Sequence, residues 1–160
     1  MNTIYQFSVK SIEGSTLNFS DFKGKKILLV NTASACGLTP QYAQLQELYD
    51  NYKNQVVVVG IPANEFGAQE PGTNEEIKDF CSVRYGVSFP LAAKQVVVGE
   101  GQSDLFQWLT QKEKNGVQDA EIKWNFHKFV LDENGALVAN FGSMTSPLDE
   151  TILKTLGINV

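Results

Sequence analysis

The run "QVVVVGIP" at 55–62 constrains the fold more than any other stretch of the chain. Four consecutive valines leave it without a polar face. A strand wetted on one side alternates apolar and polar residues. This one does not, so it has to be covered on both faces, as strands of parallel sheets are. The apolar segment 26–32 comes before it. Between the two, Tyr42, Leu45, Leu48, Tyr49 and Tyr52 recur at helical spacing, and Pro40 suits a first helical turn. Strand, helix, strand in that order predicts a βαβ unit with a parallel pair and a right-handed crossover.

The rest of the chain supplies more elements. Residues 4–9 read as a short strand, "EGST" at 13–16 as a turn, and 17–25 as an irregular connection carrying Leu17, Phe19 and Phe22. The loop "ANEFGAQEPG" covers 63–72. "TNEEIKDFCSVRYG" then opens with the capping pair Thr73 and Glu76 and stops at Gly86, which predicts a helix holding Cys81. Residues 103–114 read as a helix capped by Ser103, with Leu105, Phe106 and Leu109 as its apolar face. "DENG" at 132–135 reads as a hairpin turn between strands over 123–131 and 136–142. Ser146, Pro147 and Gly157 bound a final helix. The expected architecture is α/β, with a mixed central sheet and helices on both faces, a pattern similar to the thioredoxin-like fold.

At 160 residues, with 42% hydrophobic and 19% charged residues, the chain is read as one globular domain spanning 1–160. The net charge of −5 and the lack of lysine runs argue against nucleic acid or an anionic membrane as partner. No apolar run approaches the roughly 20 residues of a membrane span. The start, "MNTIYQFSVKSIEG", has no basic segment followed by an apolar one, so no signal peptide is expected. These features make the cytoplasm the expected location, where thiols stay reduced. Two cysteines and one histidine are too few for a disulfide framework or a structural zinc set, and neither a metal nor a cofactor is expected.

Cys36 draws attention within "NTASACGLTP", residues 31–40, where a strand meets a helix. Reacting groups collect at the carboxyl edge of open α/β sheets. Free backbone N–H groups at a helix start stabilise an anion there, a thiolate included. Gly37 and the small residues Ala33, Ser34 and Ala35 leave the sulfur uncrowded. Two chemistries are open to it. One is acyl transfer with His127 and Asn125, which strand alternation would put on one face. The other is redox: a thiolate attacks peroxide and becomes a sulfenic acid, which a second thiol converts to a disulfide. Cys81 is the only second thiol.

"NTASACGLTPQY", "IPANEFGAQEPG" and "WNFHKF", supported by "KGKKILLVN" and "EEIKDFC", resemble the successive signatures of the glutathione peroxidase family, with cysteine where some members carry selenocysteine. The resemblance runs over nearly the whole chain in the right order. It implies that Cys36 is the peroxidatic residue, and that Gln69, Trp124 and Asn125 surround its sulfur as neutral donors. Cys81 is implied to be the resolving cysteine of a thioredoxin-dependent, two-cysteine type, the segment 78–88 unwinding when the disulfide forms. The implied activity is reduction of hydrogen peroxide and organic or lipid hydroperoxides in oxidative-stress defence. A peroxide sensor relaying oxidation to a partner protein is the alternative.

The chain departs from the family pattern at Ala63, where an additional cysteine is usual, and at Glu65, expected to bring a negative charge near the site. No Lys or Arg accompanies the Cys36 motif to greet anionic glutathione, which favours thioredoxin as reductant with glutathione the second choice. The short stretch before Trp124 lacks the insertion that builds tetramers in longer members, so a monomer is expected.

Overall fold

The computed structural model describes residues 2–159, so Met1 and Val160, the ends of the expected domain, lie outside it. In chain order the elements are β1 (Ser8–Lys10), β2 (Thr16–Asn18), β3 (Lys26–Thr32), α1 (Gln41–Tyr52), β4 (Val56–Pro62), α2 (Asn74–Tyr85), α3 (Asp104–Thr110), α4 (Lys112–Asn115), β5 (Lys128–Leu131), β6 (Leu137–Phe141) and α5 (Glu150–Thr155). One-turn 3-10 helices sit at Ile4–Gln6 and Phe19–Phe22.

The main sheet has the order β4-β3-β5-β6, and β1 pairs with β2 in a separate hairpin. β3 and β4 are parallel in a register that sets Lys26 against Val56 and Thr32 against Pro62. β5 runs antiparallel to both β3 and β6. Every residue of β4 is buried, as its unbroken apolar run demands. Alternation divides the interior into two layers. Ile27, Leu29, Val57, Val59, Phe129 and Leu131 face Leu105, Phe106 and Leu109 of α3. Leu28, Val30, Val56, Val58 and Val130 face Leu45 and Leu48 of α1, Ile77 of α2 and Ile152 of α5. Each fully buried Val or Leu side chain contributes roughly 1.5–3 kcal/mol.

The parallel pair and the antiparallel β5 have a functional consequence. The carboxyl ends of β3 and β4 and the amino end of β5 all reach the same edge of the sheet. Three loops therefore meet there: 33–40, 63–73 and 123–127.

Four expectations about local structure are corrected. Residues 4–9 do not form one strand: the Ile4 N–H donates to Gly135 O at 2.9 Å, the chain turns, and the strand starts at Ser8. The helix expected over 103–114 breaks at Gln111, where the backbone is extended; Thr110 Oγ1 donates back to Phe106 O, and Asp119 Oδ1 takes the Lys112 N–H. The last helix is capped by the Asp149 carboxylate, not Ser146, because Asp149 Oδ1 accepts the Thr151 N–H at 2.9 Å. The strand expected from 123 begins only at Lys128. In contrast, α2 has the full capping box of Thr73 and Glu76, and Gly86 ends it at φ +60°.

Candidate active site

The Cys36 loop is built from short backbone turns that lead into α1. Thr39 is its clamp: its hydroxyl accepts the Cys36 N–H at 2.9 Å and donates to Ala33 O at 2.9 Å. The Thr39 and Gln41 N–H groups bond the Cys36 and Leu38 carbonyls. α1 begins only at Gln41, so the sulfur sits a full turn ahead of the helix. The donor aimed at it is local: the Leu38 N–H points to Cys36 Sγ at 3.3 Å. This is a charge-assisted bond once the thiol ionises. Cys36 is buried but borders the surface, with 7% of its area exposed.

The second loop is stitched to the first by the Ala35 N–H, which donates to Gln69 O at 3.0 Å. Glu65 does not face the cysteine. Its carboxylate accepts the Val97 N–H at 2.6 Å, correcting the expectation of a charge near the site. The third loop is held by Asn31, a wholly buried residue on β3. Its amide donates to Trp124 O at 3.2 Å, and its carbonyl oxygen accepts the His127 N–H at 3.0 Å. Its backbone carbonyl accepts the Phe126 N–H at 2.7 Å. Regular pairing of β3 with β5 stops at Val30–Lys128, and Asn31 takes over from the sheet ladder.

Among the described residues two non-glycine positions have positive φ, Ala68 at +53° and Phe126 at +66°. They directly neighbour Gln69 and Asn125. Backbone held in this region costs about 1–3 kcal/mol and collects at functional sites. The strain aims the two amides at each other: Asn125 Nδ2 donates to Gln69 Oε1 at 3.0 Å. Asn125 is fully buried, and its Oδ1 has no partner. Trp124 is half-buried, lies tilted at 60° to Phe66 with ring centroids 6.0 Å apart, and packs against both layers of the interior. Gly67, at φ +70°, makes room for it, since a Cβ there would lie 2.9 Å from Trp124 Cη2.

The same turn removes the Cys–His–Asn arrangement. Asn125 and His127 are not alternate residues of a strand, because Phe126 breaks the extended backbone between them. The His127 ring bonds Asn140 Oδ1 at 2.8 Å and packs on Phe129, in the layer away from Cys36. Burial lowers its pKa, with the Asn140 bond opposing.

Cys81 lies on α2, is 1% exposed, and shares the Cys36 layer. Both cysteines are free thiols. Burial pushes the Cys81 pKa up to about 11; contact with Tyr42 opposes this and the charge of Glu70 adds to it. The fully buried Tyr42 hydroxyl lies beside Cys81 and Thr32 without reaching ordinary hydrogen-bond geometry to either.

A sequence profile of the glutathione peroxidase family matches residues 4–110. The chain belongs to the glutathione peroxidase family. It is 47% identical over 154 residues to the hydroperoxy fatty acid reductase gpx1 of Synechocystis sp., covering 91% of this chain and 90% of that one. It is 41% identical over 157 residues to the glutathione peroxidase-like peroxiredoxin 2 of Saccharomyces cerevisiae, covering 96% and 97%. Among solved structures it superimposes on T. cruzi GPX1 with a TM-score of 0.73 at 30% identity, over 97% of both chains. The thioredoxin-like architecture extends to a thioredoxin-family thiol:disulfide interchange protein from Chlorobium tepidum, with a TM-score of 0.63 at 21% identity. The protein is thus an oxidoreductase of the thiol-peroxidase kind, with a hydroperoxide as substrate and a thiol as reductant. No helix among the described residues is long and apolar enough to cross a membrane.

Thr39 and Asn31, which hold the site's loops, and the buried Lys128 lie inside the signature stretches but receive no role from the sequence reading. Thr39 was legible in principle as a turn hydroxyl beside the cysteine. A buried asparagine inside an apolar strand is a sequence signal for Asn31. Lys128 is wholly buried in β5; its Nζ donates to Ser143 O at 3.0 Å, and burial lowers its pKa to about 7.

Proposed function

We propose that Cys36 is the peroxidatic nucleophile of a two-cysteine cycle, with Gln69, Trp124 and Asn125 assisting it and Cys81 resolving. The thiolate attacks the terminal peroxide oxygen, an S–O bond forms and the O–O bond breaks; the terminal oxygen stays on Cys36 as the sulfenic acid, and the departing oxygen takes up the proton that the thiol gave to the site and leaves as water or an alcohol. The observation that carries this reading is the backbone N–H already pointed at Cys36 Sγ, in a clamped loop tied through Ala35 to Gln69, whose amide in turn pairs with Asn125. Amide and indole donors stabilise a thiolate and a developing alkoxide without titrating themselves.

Cys81 attacks the Cys36 sulfenic acid and closes a Cys36–Cys81 disulfide. α2 is suited to opening for this step. It buries only Ile77 and Cys81, while Val83 is 82% exposed. Elements with few buried apolar contacts open at low cost. The reading places the whole 1–160 chain in one domain acting as a monomer in the cytoplasm, with thioredoxin as reductant. The relatives bear on the substrate: the Synechocystis protein is named for hydroperoxy fatty acids. Organic and lipid hydroperoxides are therefore proposed beside hydrogen peroxide.

The deciding experiment is a peroxide assay run in parallel with thioredoxin and with glutathione. Turnover with thioredoxin well above that with glutathione is the expected result. Equal turnover with glutathione in a Cys81→Ser variant would remove Cys81 from the cycle.

A further inference from the structure

A fourth loop reaches the sheet edge where the three site loops meet. β6 runs antiparallel to β5, and Phe141 at its end pairs with Lys128 at the start of β5. The chain leaving β6 therefore emerges beside the 123–127 loop, and the cycle above gives it no task. It is fastened down. Ser143 O accepts the Nζ of the wholly buried Lys128 at 3.0 Å and the side-chain amide of Gln41 at 2.8 Å. The Thr145 N–H closes a turn onto Gly142 O at 3.1 Å, and Ser146 Oγ bonds Gln44 Oε1 at 3.1 Å. Burying a lysine is costly unless its donors are used, and here it secures a loop.

Gln41 ties this loop to the cysteine. Its backbone N–H donates to Leu38 O at 2.9 Å, and the Leu38 N–H is the one that points to Cys36 Sγ. Hydrogen bonds thus lead from the sulfur through Leu38 and Gln41 to Ser143, the residue before Met144. Met144 is 82% exposed. A single exposed apolar side chain is ordinary on a surface. This one, however, lines a cavity of about 480 Å³ together with Trp124, His127 and Ser143. Small-molecule sites run from about 300 to 1,000 Å³. Trp124 also packs against the layer that contains Cys36, so one indole borders both the cavity and that layer.

The lining also selects by charge. Its ionisable members are Glu121, Lys123 and His127. The acid and the base offset each other, and burial lowers the His127 pKa, which favours the neutral ring. An uncharged hydrocarbon group suits this lining better than an anion does. A thioether is unbranched and polarisable, so it adapts to partners of different shape.

We propose that Met144 and Trp124 form the subsite for the hydrocarbon group of an organic hydroperoxide, and that Met144 sets the preference for such substrates over hydrogen peroxide. The inference rests on the reading of Cys36 as the peroxidatic residue. The hydroperoxide end meets Cys36 while the hydrocarbon group covers the thioether and the indole, which are otherwise wet. Hydrogen peroxide has no such group and gains nothing from the contact.

The test mixes the reduced full chain rapidly with hydrogen peroxide or with cumene hydroperoxide and follows Cys36 oxidation by quench and mass analysis. The readout is the ratio of the two second-order rate constants. One methylene in an apolar pocket changes discrimination by about 10- to 200-fold, and this cavity is open at Met144, so the lower end applies. Met144→Glu is expected to slow oxidation by cumene hydroperoxide about tenfold and leave oxidation by hydrogen peroxide unchanged. Met144→Leu, which keeps the apolar wall, should retain the wild-type ratio. Met144 is exposed, so neither substitution removes a buried contact. An unchanged ratio in Met144→Glu overturns the proposal, whether both rates hold or both fall together. So does an equal loss in Met144→Leu. Slower re-reduction by thioredoxin at an unchanged ratio also overturns it and marks the loop as a protein-docking surface instead. Failure of the wild-type Cys36 to react with either peroxide would refute the peroxidatic reading itself.

Discussion

Cys36 and Cys81 share one apolar layer, but the chain treats the two thiols in opposite ways. Cys36 sits in a turn clamped by Thr39, with a backbone N–H on its sulfur. Cys81 sits in the middle of a well-capped helix, where burial and the nearby Glu70 keep its proton on. One thiol is held in a rigid frame of backbone and Thr39 hydrogen bonds. The other is buried on a helix whose only other fully buried side chain is Ile77. Under the two-cysteine cycle proposed above, the contrast separates the two halves of the reaction: the first sulfur needs fixed geometry, and the second waits until its helix moves.

The largest effect that would sharpen this comparison comes from Cys36 itself. Cys36→Ser should abolish peroxide consumption with either reductant, and residual turnover would break the assignment. Cys81→Ser should stop steady-state turnover with thioredoxin while allowing one oxidation per chain, counted by peroxide titration. Asn125→Ala removes the amide paired to Gln69 and should slow Cys36 oxidation by about 10²-fold, the usual loss for one preorganised donor. Single-turnover mixing would measure it, and an unchanged rate would mean that the strained turn at Phe126 aims nothing.

The waiting thiol makes a pH prediction. In a Cys36→Ser background, alkylation of Cys81 should keep rising about tenfold per pH unit well past the free-thiol value near 8.5. Its folded-state pKa is about 11. The unfolded chain deprotonates first as pH rises, so Cys81 lowers the stability of the fold progressively above about pH 8.5, and Cys81→Ala should flatten that loss in a chemical-denaturation series. The smallest effect is on the helix. Thr73→Ala removes one half of the α2 capping box, costs about 1 kcal/mol, and should speed Cys81 alkylation about fivefold if local opening exposes it.

The βαβ start, the buried β4 and the capping box of α2 could be read from the chain, because each rests on local patterns. A valine run has one stable environment, and Thr73 and Glu76 satisfy each other within one turn. The turn at 124–127 could not be read in this way. "KWNFHKF" alternates well enough to pass for a strand, and its departure from one depends on Asn31, far away in sequence, whose amide replaces the sheet ladder. Nor could the chain alone reject His127 as a partner of Cys36. Which layer of the sheet a side chain enters is settled by where pairing begins, and that is a property of β3 and β5 together. The sequence by itself determined that a lone thiol would stand at the edge of a parallel sheet with a second thiol on a helix. Only the tertiary structure decided how each is held, because hydrogen bonds between distant loops and the burial of Cys81 exist only once the three loops meet.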